Sequence, residues 1–255
     1  RRLYVRVYEP TKTEGCQLVA VDPQFEERLS QFIDRQFPGS SLRDVDQLTA
    51  GASLQTFRVR TRSRDGGQRD YALRRAQPGL VASSQGQLST GAEVALLRLA
   101  ESAGVPVPNV ICELEPTHDL GEGYLMEWLE GETLGHRIVK LPELETLRAT
   151  LAYECGQTLA KIHAIRVPHS LRRMLHCVSP EVLVRETWDA YIALNTPQPM
   201  IDFTAQWLLS HLPTTVTECL VHGDFRNGNL MVSKAGIRAV LDWELCHMGD
   251  PMRDL

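Results

Sequence analysis

Leu220-Val221-His222-Gly223-Asp224-Phe225-Arg226-Asn227-Gly228-Asn229-Leu230-Met231-Val232, followed by Ala239-Val240-Leu241-Asp242-Trp243-Glu244, is the stretch around which the chain is organised. Two apolar runs of strand character enclose a polar turn holding Asp224 and Asn229, and a third apolar run delivers Asp242 thirteen residues after Asn229. The Asp224 carboxylate could take the proton of an alcohol. The Asn229 amide oxygen and the Asp242 carboxylate are hard oxygen donors of the kind Mg²⁺ selects. Phosphoryl transfer needs this combination, because it asks little covalent help of the protein but requires metal held against the phosphates and a base at the acceptor hydroxyl. Asp, Asn and Gly favour turns on their own account. Five positions at matched spacing in a strand–loop–strand context are more than turn preference supplies.

The spacing is that of the kinase catalytic loop, H-x-D-x-x-x-x-N followed by a metal-binding Asp. With Gly223 after the His, Phe225-Arg226 after the Asp, and the ending Leu241-Asp242-Trp243-Glu244, Gly249-Asp250-Pro251 and Asp254-Leu255, the chain resembles the aminoglycoside phosphotransferase family. Within it, the closest likeness is to small-molecule kinases that include the kinase-like domains fused to acyl-CoA dehydrogenases. The resemblance covers roughly residues 45–255 and is strongest at the end. It implies an α+β, protein-kinase-like two-lobed fold with ATP in the cleft: an N-terminal extension (1–22), a β-rich nucleotide-binding lobe (23–128) and a helical lobe with the catalytic loop (129–255). Asp224 is then the catalytic base and Asn229 and Asp242 the Mg²⁺ ligands. In resembling proteins the segment after Gly249-Asp250-Pro251 leads into further helices, so the C-terminal part of this lobe is expected to be missing.

Composition agrees with a globular protein of that kind. Hydrophobic residues make up 43% and charged residues 23% of the 255, and the net charge of −5 gives no basic footprint for nucleic acid. The six cysteines are scattered without C-x-x-C pairs or zinc spacing, which fits thiols in a reducing cytoplasm. No run of eighteen apolar residues occurs, so no membrane span is expected. The start at Arg1-Arg2, without an apolar signal segment, reads as a trimmed chain and not a secreted one.

Along the chain, residues 3–8 alternate well enough for an edge strand, and Phe25, Leu29, Phe32 and Ile33 recur at helical spacing until Phe37-Pro38-Gly39. Residues 47–60 read as two strands joined by a small-residue turn, either an ordinary hairpin or the one that covers the ATP phosphates, with Ser53 the family-implied contact. Asp70-Tyr71-Ala72-Leu73-Arg74-Arg75 has the form of the strand carrying the kinase lysine, with Arg74 at that position; Arg keeps the charge and adds a bidentate fork. Glu93, early in a helix over 91–100, is either the partner of Arg74 or a dipole-favoured surface glutamate. Gly123 to Gly131 resembles the last strand of the small lobe and the hinge, where backbone groups of Glu127 and Leu129 would hold adenine with Met126 behind it.

Beyond the hinge the pattern turns helical, through residues 147–165, 182–193 and 201–212, with His163 expected as a helix-end residue. Asp250 is expected to cap a helix or brace the catalytic loop, and Arg226 either reaches the γ-phosphate or faces solvent. The function implied is ATP-dependent phosphorylation of a small-molecule hydroxyl. A non-catalytic pseudokinase module is the alternative, since Arg replaces Lys and the hairpin is poor in glycine. A protein kinase is disfavoured: Trp243-Glu244 replaces Phe-Gly and no A-P-E follows.

Overall fold

The structure, a computed structural model, describes residues 21–50, 54–76 and 88–255. The 3–8 segment, Ser53 and nearly all of the polar connection after Ala76 lie outside the described residues. The first helix, α1 (Pro23–Gln36), starts where Asp22 accepts the Gln24 amide at 3.0 Å and Pro23 takes the first helical position. Its apolar face buries Phe25, Leu29, Phe32 and Ile33. Beyond Phe37, Gly39 at φ +89° turns the chain into the sheet, a conformation open to glycine.

Three strands then run as a meander, β1 (Ser40–Ala50), β2 (Leu54–Ser63) and β3 (Gln68–Ala76), followed by α2 (Thr90–Ser102), β4 (Val110–Glu113) and β5 (Gly123–Glu127). The sheet order is β1-β2-β3-β5-β4 with every neighbouring pair antiparallel. Side chains alternate between the two faces of such a sheet, so parity decides what each residue can do. Val45, Phe57, Val59, Tyr71, Leu73 and Leu125 share the face covered by α1. Full burial of each large apolar side chain contributes about 1.5–3 kcal/mol. Ala72, Tyr124 and Met126 take the opposite face and join the core that includes α2. Arg74 goes with them, placed opposite Thr56 on one side and Tyr124 on the other. Its neighbour Arg75 goes the other way, its guanidinium 3.8 Å above the Phe25 ring under α1.

Past β5 the chain is mainly helical: α3 (Gly135–Lys140), α4 (Glu145–His163), α5 (His169–Arg172), the short β6 (Cys177–Val178), α6 (Pro180–Ile192) and α7 (Pro199–Ser210). Prolines open α6 and α7, and the Ser179 hydroxyl caps α6 by accepting the Val182 amide. Then come β7 (Cys219–Val221), β8 (Leu230–Ser233), β9 (Gly236–Val240) and β10 (His247–Gly249). β10 lies between β6 and β7, whereas β8 pairs with β9 as a hairpin. Residues 222–229 therefore cross from one small sheet to another.

The two regions share one core. It runs from Leu96, Leu97 and Met126 through Leu159 and Ile162 of α4 to Leu220, Leu230, Val240 and the fully buried Trp243. Their connection is held from both sides. Arg58 of β2 bonds Asp70 at 2.8 Å and stacks 4.3 Å over the Trp128 ring, while the next residue, Leu129, packs on Met231, Ala239 and Leu241. Among the described residues no helix is long and apolar enough to cross a membrane. An antiparallel sheet region followed by a helical region is the α+β arrangement expected from the sequence.

Candidate active site

His222 leads into the loop with its side chain fully buried. The Asp224 amide donates to its Nδ1 at 3.3 Å, so Nε2 carries the hydrogen and donates to the Leu241 carbonyl at 3.1 Å. Burial lowers the His222 pKa, against the pull of Asp254 and Asp242, which keeps the ring neutral in this role. Gly223 follows at φ +84°, and a Cβ on it would stand 2.6 Å from the Leu245 carbonyl oxygen; only glycine fits this turn.

The turn delivers Asp224, whose carboxylate is engaged on both oxygens. Asn229 Nδ2 donates to Oδ2 at 2.7 Å and to the Asp224 carbonyl at 2.9 Å; Arg226 Nε donates to Oδ1 at 2.8 Å. With its nitrogen fixed in this way, buried Asn229 has its amide oxygen to offer elsewhere. The Leu241 amide donates to the Asn229 carbonyl at 2.7 Å and ties the end of β9 to the loop. Arg226, left between phosphate and solvent by the sequence, in this structure pairs with Asp224.

The loop is braced by a residue that sequence reasoning did not single out. Asp254 accepts the His222 amide on Oδ2 at 3.0 Å and the Gly223 amide on Oδ1 at 2.8 Å, with His163 Nε2 2.9 Å from Oδ2. Burial favours the neutral acid, but the bonds from His163 and the two amides outweigh it and hold the Asp254 carboxyl below its ordinary value. Asp250 has only the capping half of its expected role: it accepts the Met252 amide at 2.9 Å at the start of the 3-10 turn Pro251–Asp254. His163 does end a helix, and it also holds the brace. The only sequence signal for Asp254 is its place in the closing motif, which does not set it apart from Asp250.

Asp242 follows β9 in the left-handed region at φ +65°, a conformation non-glycine residues seldom take and which concentrates at functional positions. Its Oδ1 accepts Arg74 Nη2 at 2.9 Å, and Arg74 Nη1 lies 3.3 Å from Glu93 Oε1. All three side chains are buried. Burial pulls on Arg74, but Glu93, Tyr124 and Asp242 outweigh it and hold the guanidinium well above its ordinary range. Burial likewise raises the Glu93 carboxyl against the pull of Arg74. Tyr124, opposite Arg74 on β5, is buried beside them. Of the two readings of Glu93 offered by the sequence, the structure has the buried partner of Arg74.

The model of the APH phosphotransferase enzyme family matches residues 44–255. The chain belongs to that family. Among curated relatives of this phosphotransferase-family chain, acyl-CoA dehydrogenase family member 10 of Mus musculus is 32% identical over 219 residues, which is 82% of this chain and 19% of the relative. Acyl-CoA dehydrogenase family member 11 of Gallus gallus is 30% identical over 240 residues, 89% of this chain and 30% of the relative. The chain thus spans 19% to 30% of the length of these proteins. Among solved structures, ADP-bound aminoglycoside phosphotransferase APH(2'')-Ib matches with a TM-score of 0.64 at 20% identity, covering 92% of this chain and 74% of that one. The likeness shows a shared fold, the protein-kinase-like fold of the aminoglycoside phosphotransferases.

In this phosphotransferase-family chain the residues expected at the nucleotide stand as follows. Met126 is buried on the face of the sheet turned away from α1. The Glu127 amide donates to the Asn109 carbonyl at 2.9 Å and its side chain accepts the Asn109 amide at 3.0 Å. Leu129 is the next hinge residue but one. Among the described residues no three His, Cys, Asp or Glu side chains gather as a metal cluster. The oxygen donors that the sequence assigned to Mg²⁺ are the Asn229 amide oxygen and the Asp242 carboxylate. Such a sparse all-oxygen set fits Mg²⁺, which keeps waters and takes phosphate oxygens to complete its shell.

Proposed function

We propose that the protein transfers the γ-phosphoryl group of ATP to a hydroxyl group of a small molecule. The observation that supports this most is the hydrogen-bonded set Asn229–Asp224 and Arg74–Asp242, which joins a candidate base, two oxygen donors and a buried cation at one place. Asp224, held by Asn229, orients the acceptor hydroxyl and takes its proton. Arg74, kept in place by Glu93, holds the α- and β-phosphates; its Nε is buried without a hydrogen-bond partner among the described residues and is a donor suited to a phosphate oxygen. Asn229 and Asp242 would hold Mg²⁺, which when bound neutralises charge on the β- and γ-phosphates. The Glu127 carbonyl and Leu129 amide take the base, Met126 backs the pocket, and Ser53 covers the phosphates.

The acceptor we infer is a metabolic hydroxyl compound and not an aminoglycoside, on the strength of the acyl-CoA dehydrogenase relatives. The compartment we infer is the cytoplasm, in keeping with the free thiols of Cys112, Cys155, Cys177, Cys219 and Cys246. A non-catalytic nucleotide-binding module is the second reading, favoured by one observation: both Asp224 and Asp242 are paired with arginines in this structure.

Mg²⁺-dependent ATP turnover by the intact protein, measured across aminoglycosides, choline, sugars and hydroxyacyl thioesters, separates the two. Turnover with one acceptor class that falls about 10²–10⁴-fold in Asp224→Ala would support the kinase. Nucleotide binding without turnover on any acceptor, unchanged in the variant, would support the non-catalytic module.

A further inference from the structure

Thr56 on β2 and Arg74 on β3 occupy directly paired positions of neighbouring strands. The pairing runs without a shift from Leu54 with Ala76 to Arg62 with Gln68, so side-chain parity holds along its whole length. The next pair, Phe57 and Leu73, packs in the core under α1. Thr56 and Arg74 therefore share the face turned away from α1, and side chains on opposed residues of one face start about 4.5–5.5 Å apart.

Thr56 is 9% exposed, and buried hydroxyls normally have a partner. The buried Thr61 and Thr158 do: they donate to the carbonyls of Arg69 at 3.1 Å and Glu154 at 2.8 Å. The Thr56 hydroxyl bonds no group among the described residues. Nor does it belong to the polar atoms that are sealed from solvent without a hydrogen bond, as Arg74 Nε and Glu93 Oε1 do. It opens instead on the face that it shares with Arg74. Valine would serve a strand position at the rim of a core as well as threonine, so the hydroxyl matters only to something that reaches that face from outside. We propose that Thr56 is a contact for the nucleotide phosphates, its hydroxyl donating to a non-bridging oxygen of the diphosphate beside the group held by Arg74. A hydroxyl meeting an anionic oxygen makes a short, charge-assisted bond. It also supplies direction where Arg74 supplies mainly charge, because Nη1 and Nη2 of the guanidinium are turned to Glu93 and Asp242. The inference rests on the proposed nucleotide site.

Thr56→Val tests it, because the shape stays and only the hydroxyl goes. Binding of Mg·ADP and of adenosine to the intact protein is measured by calorimetry for wild type, Thr56→Val and Thr56→Ser, together with thermal unfolding of each without ligand. Thr56→Val should weaken Mg·ADP about tenfold, as expected for one lost hydrogen bond to a charged group. Adenosine, which has no phosphate, should bind as to wild type. Thr56→Ser keeps a hydroxyl and should keep the affinity for Mg·ADP. Without ligand, Thr56→Val should be no less stable than wild type, since no internal hydrogen bond is lost. Wild-type affinity of Thr56→Val for Mg·ADP, an equal loss for adenosine, or a Thr56→Ser protein as weak as Thr56→Val would each overturn the inference and leave the nucleotide site standing. A ligand-free Thr56→Val protein that unfolds early would reveal an internal partner for the hydroxyl and overturn it as well. Failure of the wild type to bind Mg·ADP would overturn the proposed function first and this inference with it.

Discussion

Arg74 Nη2 and Asp242 Oδ1, 168 positions apart in the chain, meet at 2.9 Å in a buried hydrogen bond that links the five-stranded sheet to the segment following β9. Replacing Arg74 by Met would leave Glu93 and Asp242 as two buried carboxylates with no cation between them. Removing one side of a buried ionic cluster costs about 3–5 kcal/mol. Urea unfolding of Arg74→Met should show a loss of that order, and a variant as stable as wild type would mean that the cluster is relieved by protonation or water. Arg74→Lys keeps the charge but cannot fork, so it should be the milder change in stability while still weakening Mg·ATP.

Asp254 supplies a second prediction, with a pH signature. Its carboxyl is held below the ordinary value of 3.8, so the folded state binds its proton less readily than the unfolded chain. The stability it contributes is then complete above about pH 4 and is lost as pH falls through the depressed value. Asp254→Asn should be less stable near neutrality by about 1.5–3 kcal/mol, the range for hydrogen bonds to a charged group. The gap from wild type should close in acid. A gap that stays constant from pH 7 to pH 3 would show that the charge is not what the His222 and Gly223 amides use.

Gly223 should tolerate no side chain. Alanine there would need a left-handed backbone and would meet the Leu245 carbonyl at 2.6 Å. Strain of this kind costs on the order of 1–3 kcal/mol. Gly223→Ala is expected to lower the melting temperature and to abolish turnover together, since the residue that would shift is the one before Asp224. Full turnover in a folded Gly223→Ala protein would sink this account of the loop.

Arg226 is expected to dissociate the two readouts. Its ion pair with Asp224 is 45% exposed on the arginine side, and pairs in such settings contribute about 0–1 kcal/mol. Arg226→Ala should therefore unfold within about 1 kcal/mol of wild type. Turnover should fall about tenfold or more, if the side chain leaves Asp224 for the transferring phosphate and stabilises charge there. Unchanged turnover would assign Arg226 to the surface.

How far the site was legible depended on whether contacts were local. Asp224, Asn229 and Asp242 lie within nineteen residues of one another, and their spacing alone brings the first two into one loop. The helix of Glu93 was readable from periodicity and the strand of Arg74 from its likeness to the kinase-lysine strand, yet their pairing required the resemblance, because thirteen residues, most of them outside the described ones, separate β3 from α2. Asp254 was not legible as the brace of the loop. Which carboxylate reaches the Gly223 amide depends on how a 3-10 turn packs against the chain 31 residues earlier. Arg226 had two readings, and the ion pair with Asp224 belonged to neither.

The hinge carries a consequence for motion. The Trp128 ring is pinned to β2 by Arg58, and Leu129, one residue on, is pinned to Met231, Ala239 and Leu241. Because the same two regions also share the core that runs from Met126 to Trp243 and the buried bond between Arg74 and Asp242, the crossing at Trp128 and Leu129 works as a fastening and not as a free swivel.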